Sequence, residues 1–237
     1  MNKIKLIAFD LDGTLSNHKE KIPAENLSLL KRLSEKYKLI IVGAGRVERI
    51  FNQIERFPID IIGNYGMQYA KYNSATKSPD MVRSDSVPCD KEAISQKVYS
   101  FRNKYGFTSF AGDSVEFHPS GCVTFAILGT KAVQEDKLSF DPTKEKRRKI
   151  YKEITEAFSD FNVFIGGSSS FDMSPKPYNK YYALDKYCKE NNINHDEVIF
   201  VGDDFGMGGN DESVYLSDFK FIKVDDYKNL PKILEFL

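Results

Sequence analysis

The 237-residue sequence predicts an α/β protein, a Rossmann-like doubly wound parallel sheet interrupted by an inserted α+β domain. Three observations carry this reading. Short apolar runs such as "LIAF", "KLIIV" and "IDII" are too continuous for half-exposed strands and read as strands buried on both faces. Segments of helical period separate them. From about Asp80 the pattern turns hairpin-like, and a further buried run, "VIFVG", returns only near the end.

The elements follow in order. Residues 4–9 form a strand that stops at Asp10. In "PAENLSLLKRLSEKY", Leu27, Leu30 and Leu33 recur at helical spacing, with Pro23 as a first-turn residue. "KLIIVGAG" is a second strand ending in glycines, "RVERIFNQIERF" a helix, and "IDIIGNYG" a third strand. In the insert, "SVEFHPSGCVTFAIL" reads as two strands around a Pro-Ser-Gly turn, "DPTKEKRRKIYKEITEAF" as an amphipathic helix, and "NVFIGGSSSFDMSP" as two more strands. "NKYYALDKYCKENNI" is a helix, "VIFVGDDFGMGGND" a buried strand ending in acids and glycines, and "KFIKVDD" a closing strand. These assign 1–81 and 175–237 to the core and 82–174 to the insert.

Composition excludes several function classes. Lys plus Arg and Asp plus Glu balance at 34 each, so no global field points to nucleic acid or an anionic membrane. No apolar run approaches the roughly 18 residues of a membrane span. Acids interrupt "MNKIKLIAFD" too early for a secretory leader. Cys89, Cys122 and Cys188 are odd in number and widely spaced, which argues against disulfides or zinc and fits a reducing cytoplasm.

Ligands of open α/β sheets gather outside the carboxyl ends of the strands. Asp10 ends the first strand with Asp12 just beyond, and Asp203 and Asp204 end the "VIFVG" strand. Parallel topology brings these acids into one crevice, where their mutual repulsion calls for a cation. Mg²⁺ suits hard oxygen ligands and keeps positions open for water and phosphate. Asp and Gly are also ordinary turn residues. A turn preference does not account for D-x-D-G-T together with G-D-D and G-G-N-D, both after buried strands.

These motifs resemble those of the haloacid dehalogenase (HAD) superfamily of phosphotransferases. "DLDGT" is similar to its first signature and "VGDDFGMGGND" to its last. "GGSSSFDMSP", "NKYYALDKY" and "GDDFGMGGNDESVY" resemble the phosphomannomutase-like branch of the type IIB, cap-bearing class. The resemblance implies that Asp10 is the nucleophile forming an aspartyl-phosphate. Asp12 would be the acid/base. It further implies Mg²⁺ on Asp10, Asp203 and the Asp12 backbone carbonyl, with Asp204, Asn210 and Asp211 ordering the metal loop. Gly13 and Thr14 would meet the phosphate, and Lys180 would neutralise Asp10 and the incoming phosphate. A lysine opening a helix is opposed by the macrodipole, and a surface lysine is the alternative reading.

Two departures stand out. The family places a Ser or Thr at the end of the second strand, but "GAGR" offers only the backbone amides of Ala44 and Gly45, with Arg46 as partial compensation or as a solvated helix start. Phosphomannomutases grip a distal phosphate with cap arginines, whose counterparts here are His118, Thr130 and Lys137. His118 also reads simply as a hairpin residue. Ser170 and Asp172 keep the family's sugar-hydroxyl contact.

The expected function is therefore a Mg²⁺-dependent phosphatase of a small sugar or polyol phosphate, with the insert as a substrate-selecting lid. A phosphomannomutase is the alternative, and a non-catalytic phosphosugar-binding module a second. Expected partners are the small phosphoester alone, with neither nucleic acid nor membrane, and a homodimer is compatible with the resemblance.

Overall fold

The computed structural model describes residues 3–237. In chain order its elements are β1 (Leu6–Phe9), α1 (Ala24–Ser34), β2 (Lys38–Val42), α2 (Val47–Gln53), β3 (Asp60–Gly63), β4 (Gln68–Asn73), β5 (Ser78–Ser84) and α3 (Lys91–Tyr105). Then come β6 (Val115–Phe117), β7 (Val123–Ala126), α4 (Gln134–Phe140), α5 (Glu145–Ala157), β8 (Phe161–Phe164) and β9 (Ser170–Pro175). The chain closes with α6 (Lys180–Asn191), β10 (Val198–Gly202), α7 (Glu212–Tyr215), β11 (Lys220–Lys223) and α8 (Leu230–Ile233).

The chain forms two units. The first runs through Asp85 and resumes over Tyr178–Gly206 and Asp211–Leu237. Its sheet has the order β11-β10-β1-β2-β3-β4-β5, parallel as far as β3, with β4 and β5 added antiparallel. Successive side chains of a strand point to opposite faces. Accordingly Ile7 and Phe9 pack with Leu29, Leu30, Leu33, Ile50 and Leu230, while Leu6 and Ala8 pack with Ala183, Leu184, Tyr187 and Cys188 of α6. Both faces of β1 are covered, which is why its sequence is apolar without alternation. In α1, Leu27 is only partly buried where Leu29 is buried, and Pro23 stands just outside the helix as its N-cap.

The second unit comprises Ser86–Pro177 with Met207–Asn210. Its antiparallel sheet has the order β6-β7-β9-β8. Val123, Phe125, Phe171, Met173 and Val163 share one face with Ile94, Val98 and Phe101 of α3 and Ile150 and Ile154 of α5. The pairing of β5 with β4 extends the first unit to Asp85, past the boundary at 81 that composition suggests. The second boundary falls at Pro177, three residues beyond the expected 174. All three cysteines are free thiols. Among the described residues, no helix is long and apolar enough to cross a membrane.

Candidate active site

β1 and β10 are adjacent parallel strands, so Asp10 and Asp203 leave the sheet at the same edge. The loop after β10 closes on itself through Asp211. Its backbone N–H donates to the Asp204 carbonyl (3.0 Å), and its Oδ2 accepts from the Asp204 N–H (3.1 Å). Carboxylate oxygens of Asp10, Asp203 and Asp211 thereby come within 4.8 Å of one another. Asp10 is 3% exposed and Asp211 fully buried.

Lys180 is the first residue of α6, whose N-cap Asn179 accepts from the Tyr182 N–H (2.8 Å). Its fully buried Nζ lies 2.5 Å from Asp10 Oδ1 and 2.7 Å from Asp211 Oδ1. Burial works against this ammonium, but the charges of Asp10 and Asp211 override it and hold Lys180 protonated, above the ordinary lysine value. Among the described residues no cation bonds Asp203 directly. Burial, with the charges of Asp10 and Asp211, pushes its carboxyl up to about 8. For Asp211, burial and Asp10 outweigh the opposing pull of Lys180, and its carboxyl is also raised.

Thr14 supports this cluster. Its buried hydroxyl donates to Asp203 Oδ1 at 2.8 Å and lies 3.4 Å from Asp10 Oδ2. Gly13 has φ +99°, and a Cβ there would stand 2.3 Å from Asp203 Oδ2. Only glycine permits both that backbone and that approach. Asn210 is half-buried in the 207–210 stretch that groups with the second unit.

The donor set fits a divalent ion. Once ionised around a cation, the three carboxylates set against the ammonium of Lys180 would leave two negative charges to balance it, and the ligand atoms are hard oxygens.

Asp12 turns elsewhere. Its Oδ2 accepts from Arg49 Nη2 (2.9 Å) and its Oδ1 from Gln53 Nε2 (2.8 Å) and the Lys19 N–H (2.8 Å). Burial alone would raise this carboxyl, yet the charge and hydrogen bonds of Arg49, with those of Gln53 and Lys19, lower it to about 2. So held, Asp12 carries no proton at neutral pH. Arg49 and Gln53 were not singled out by the sequence. The available signal was their i, i+4 spacing on α2, directly after "GAGR".

The turn after β2 is tied back through its carbonyls, with Gly45 O accepting from the Asn64 N–H (2.8 Å). The N–H groups of Ala44 and Gly45 donate to no acceptor among the described residues. Arg46 is exposed at the N-cap of α2.

In the second unit, the cross-strand partners Thr124 and Asp172 share the sheet face away from α3 and α5. Thr124 Oγ1 donates to Asp172 Oδ1 (3.0 Å) and lies 3.2 Å from His118 Nε2. With its one proton committed, Thr124 accepts from His118 Nε2–H. Ser170 Oγ donates to Gly166 O (3.1 Å) and lies 3.5 Å from Asp172 Oδ1. Buried Arg147 pins this hairpin by donating to the carbonyls of Gly166 (2.7 Å) and Ser170 (3.1 Å) while its Nε bonds Asp141 (2.9 Å). Thr130 and Lys137 are engaged within the unit. Thr130 Oγ1 accepts from the Asp113 N–H (3.0 Å), and Lys137 Nζ donates to Thr130 O (3.1 Å).

A parallel sheet ending in this acid–lysine cluster, with an inserted α+β unit, defines the architecture of the HAD superfamily. Solved structures agree on the fold. The protein is similar to Plasmodium falciparum IMP-nucleotidase over 98% of its own chain and 70% of the other, at 17% identity and a TM-score of 0.73. It is similar to BT1666 of Bacteroides thetaiotaomicron, a HAD-superfamily member, over 99% and 94%, at 15% identity and a TM-score of 0.62. Within that superfamily the chain belongs to the eukaryotic phosphomannomutase family, whose sequence model matches residues 27–225. It is 28% identical to a phosphomannomutase of Triticum aestivum over 90% of this chain and 86% of the relative. Against phosphomannomutase 1 of Mus musculus the identity is 25%, over 89% and 82%.

Proposed function

We propose that this protein is a Mg²⁺-dependent phosphatase acting on a small sugar or polyol phosphate through an aspartyl-phosphate. Asp10 attacks phosphorus, the ester P–O bond breaks, and the leaving oxygen takes a proton from Asp12. Asp12 then deprotonates a water that attacks phosphorus, the Asp10–phosphorus bond breaks, and inorganic phosphate leaves. Lys180 holds Asp10 in place and offsets the negative charge that gathers there. Mg²⁺, held by Asp10 and Asp203 with the Asp12 carbonyl and with Asp211 beside them, would supply charge neutralisation for attacking and leaving oxygens. To act as an acid, Asp12 must leave Arg49 and Gln53 and acquire a proton.

The choice of hydrolysis over mutase chemistry rests on one observation. The three positions that would serve a distal phosphate offer no guanidinium, and their side chains are engaged within their own unit, His118 on Thr124, Thr130 on Asp113, and Lys137 on the Thr130 carbonyl. A mutase must hold a bisphosphate in both orientations, whereas a phosphatase needs only to admit water. Ser170 and Asp172 suit the hydroxyls of the leaving group. A phosphate-release screen over sugar, polyol and nucleoside phosphates with Mg²⁺, and Asp10→Asn as control, tests the reading. Conversion of mannose 1-phosphate to the 6-phosphate without free phosphate, given a bisphosphate activator, would establish the mutase instead.

A further inference from the structure

Gly43, Ala44 and Gly45, the turn after β2, have no side chain able to hold a phosphate oxygen, yet the space above them is filled. A Cβ built on Gly45 would lie 2.2 Å from Arg49 Nη2, 2.5 Å from Nε and 2.6 Å from Cζ. The guanidinium therefore occupies the volume into which any side chain at position 45 would extend. With the guanidinium in this position, only glycine leaves it room at position 45.

Arg49 is incompletely used. Nη1 donates to Gln53 Oε1 (2.6 Å) and lies 3.5 Å from Asp12 Oδ1, and Nη2 donates to Asp12 Oδ2 (2.9 Å). Its Nε–H, on the side of Gly45, has no acceptor among the described residues. The same holds for the adjacent amides of Ala44 and Gly45. The side chain is 34% exposed, so an incoming group can reach it. These donors stand beside the loop that follows Asp10, because β1 and β2 are paired neighbours.

We propose that Arg49 is the phosphate anchor of this site, meeting a phosphoryl oxygen with the N–H donors it directs over Gly45, together with the Ala44 and Gly45 amides. The proposal rests on the phosphoryl-transfer reading of the Asp10 site. A guanidinium suits this work because its donors are planar and forked, matching two oxygens of one phosphate. Engaging phosphate would draw Arg49 from Asp12, so the arrival of substrate and the release of the acid/base would be one event.

The test is equilibrium titration of the full-length, Mg²⁺-loaded protein with inorganic phosphate, which requires no turnover. Arg49→Met is expected to weaken phosphate binding at least about tenfold, the loss of one charge-assisted hydrogen bond. Arg49→Lys, which keeps the charge without the fork, should fall between, and it carries the test if Arg49→Met does not fold. Gly45→Ser should weaken binding in the wild-type background by expelling the guanidinium. In an Arg49→Ala background it should strengthen binding, because its hydroxyl then fills the vacated space. Phosphate affinity of folded Arg49→Met within twofold of wild type overturns the proposal, as does an equal effect of Gly45→Ser in both backgrounds. If the wild type neither binds phosphate nor releases it from any ester, the functional reading falls and the anchor with it. If the wild type binds phosphate and only the variants fail to differ, the anchor alone falls.

Discussion

Lys180 Nζ lies 2.5 Å from Asp10 Oδ1, joining a side chain with no solvent exposure to one with almost none. Breaking a buried pair leaves an uncompensated charge, at a cost of about 3–5 kcal/mol. Lys180→Met should therefore lower the melting temperature as well as activity, which we expect to fall at least about a hundredfold from lost stabilisation of the reacting group. Asp10→Asn should abolish turnover without that penalty, because it relieves repulsion within the acid cluster and leaves Lys180 paired with Asp211. Thermal melts of the two purified variants read the contrast.

The acid cluster gives a signed pH dependence. The folded Asp203 carboxyl sits at about 8, raised first by burial and then by Asp10 and Asp211, whereas an unfolded aspartate titrates near 4. The cation-free fold thus keeps a proton that the unfolded chain has lost. Its stability declines as pH climbs through that window. Mg²⁺ binds the ionised cluster, so its affinity and the thermal stabilisation it confers should increase over the same range. Melts at pH 5.5, 6.5 and 7.5, with and without Mg²⁺, check this, and a cation effect independent of pH would contradict it.

Gly13→Ala should be costly beyond its size. It places a Cβ 2.3 Å from an Asp203 oxygen and forces a non-glycine residue to φ +99°. The backbone alone costs about 1–2 kcal/mol. Displacing Asp203 should also weaken Mg²⁺ binding, which calorimetric titration of the variant would register.

Thr124→Val breaks the His118–Thr124–Asp172 chain without touching the acid cluster. If Asp172 positions the leaving group, KM should rise several-fold while kcat changes little. Steady-state kinetics on the best substrate of the phosphate-release screen would separate the two.

Much of the core was legible because β1, β2, β3 and β10 are covered on both faces, which forces continuous apolar runs and leaves the acids at their ends conspicuous. The opening of α6 at Lys180 was legible as well, although burial of that lysine beneath two carboxylates depends on the fold. Less was visible where the partner is distant. Asp12 is held by groups 37 and 41 residues away, a pairing with no local pattern. Asp211 reads as one acid of a glycine-rich turn, and its place in the carboxylate triad depends on how residues 204–211 fold back. The β4–β5 hairpin escaped notice because β5 is an edge strand with little apolar alternation, and half-exposed edges constrain their sequence weakly.

The 170-residue gap between Asp10 and Lys180 bears on how the molecule is made. A nascent chain emerges from the ribosome with Asp10 early and the Lys180 ammonium that pairs with it only after the whole insert has been synthesised. Asp211 follows later still. Until then the first strand has only part of its sheet, because β10 is not yet available to pair with it. A fragment that ends before Lys180 therefore lacks every partner that Asp10 has in the cluster.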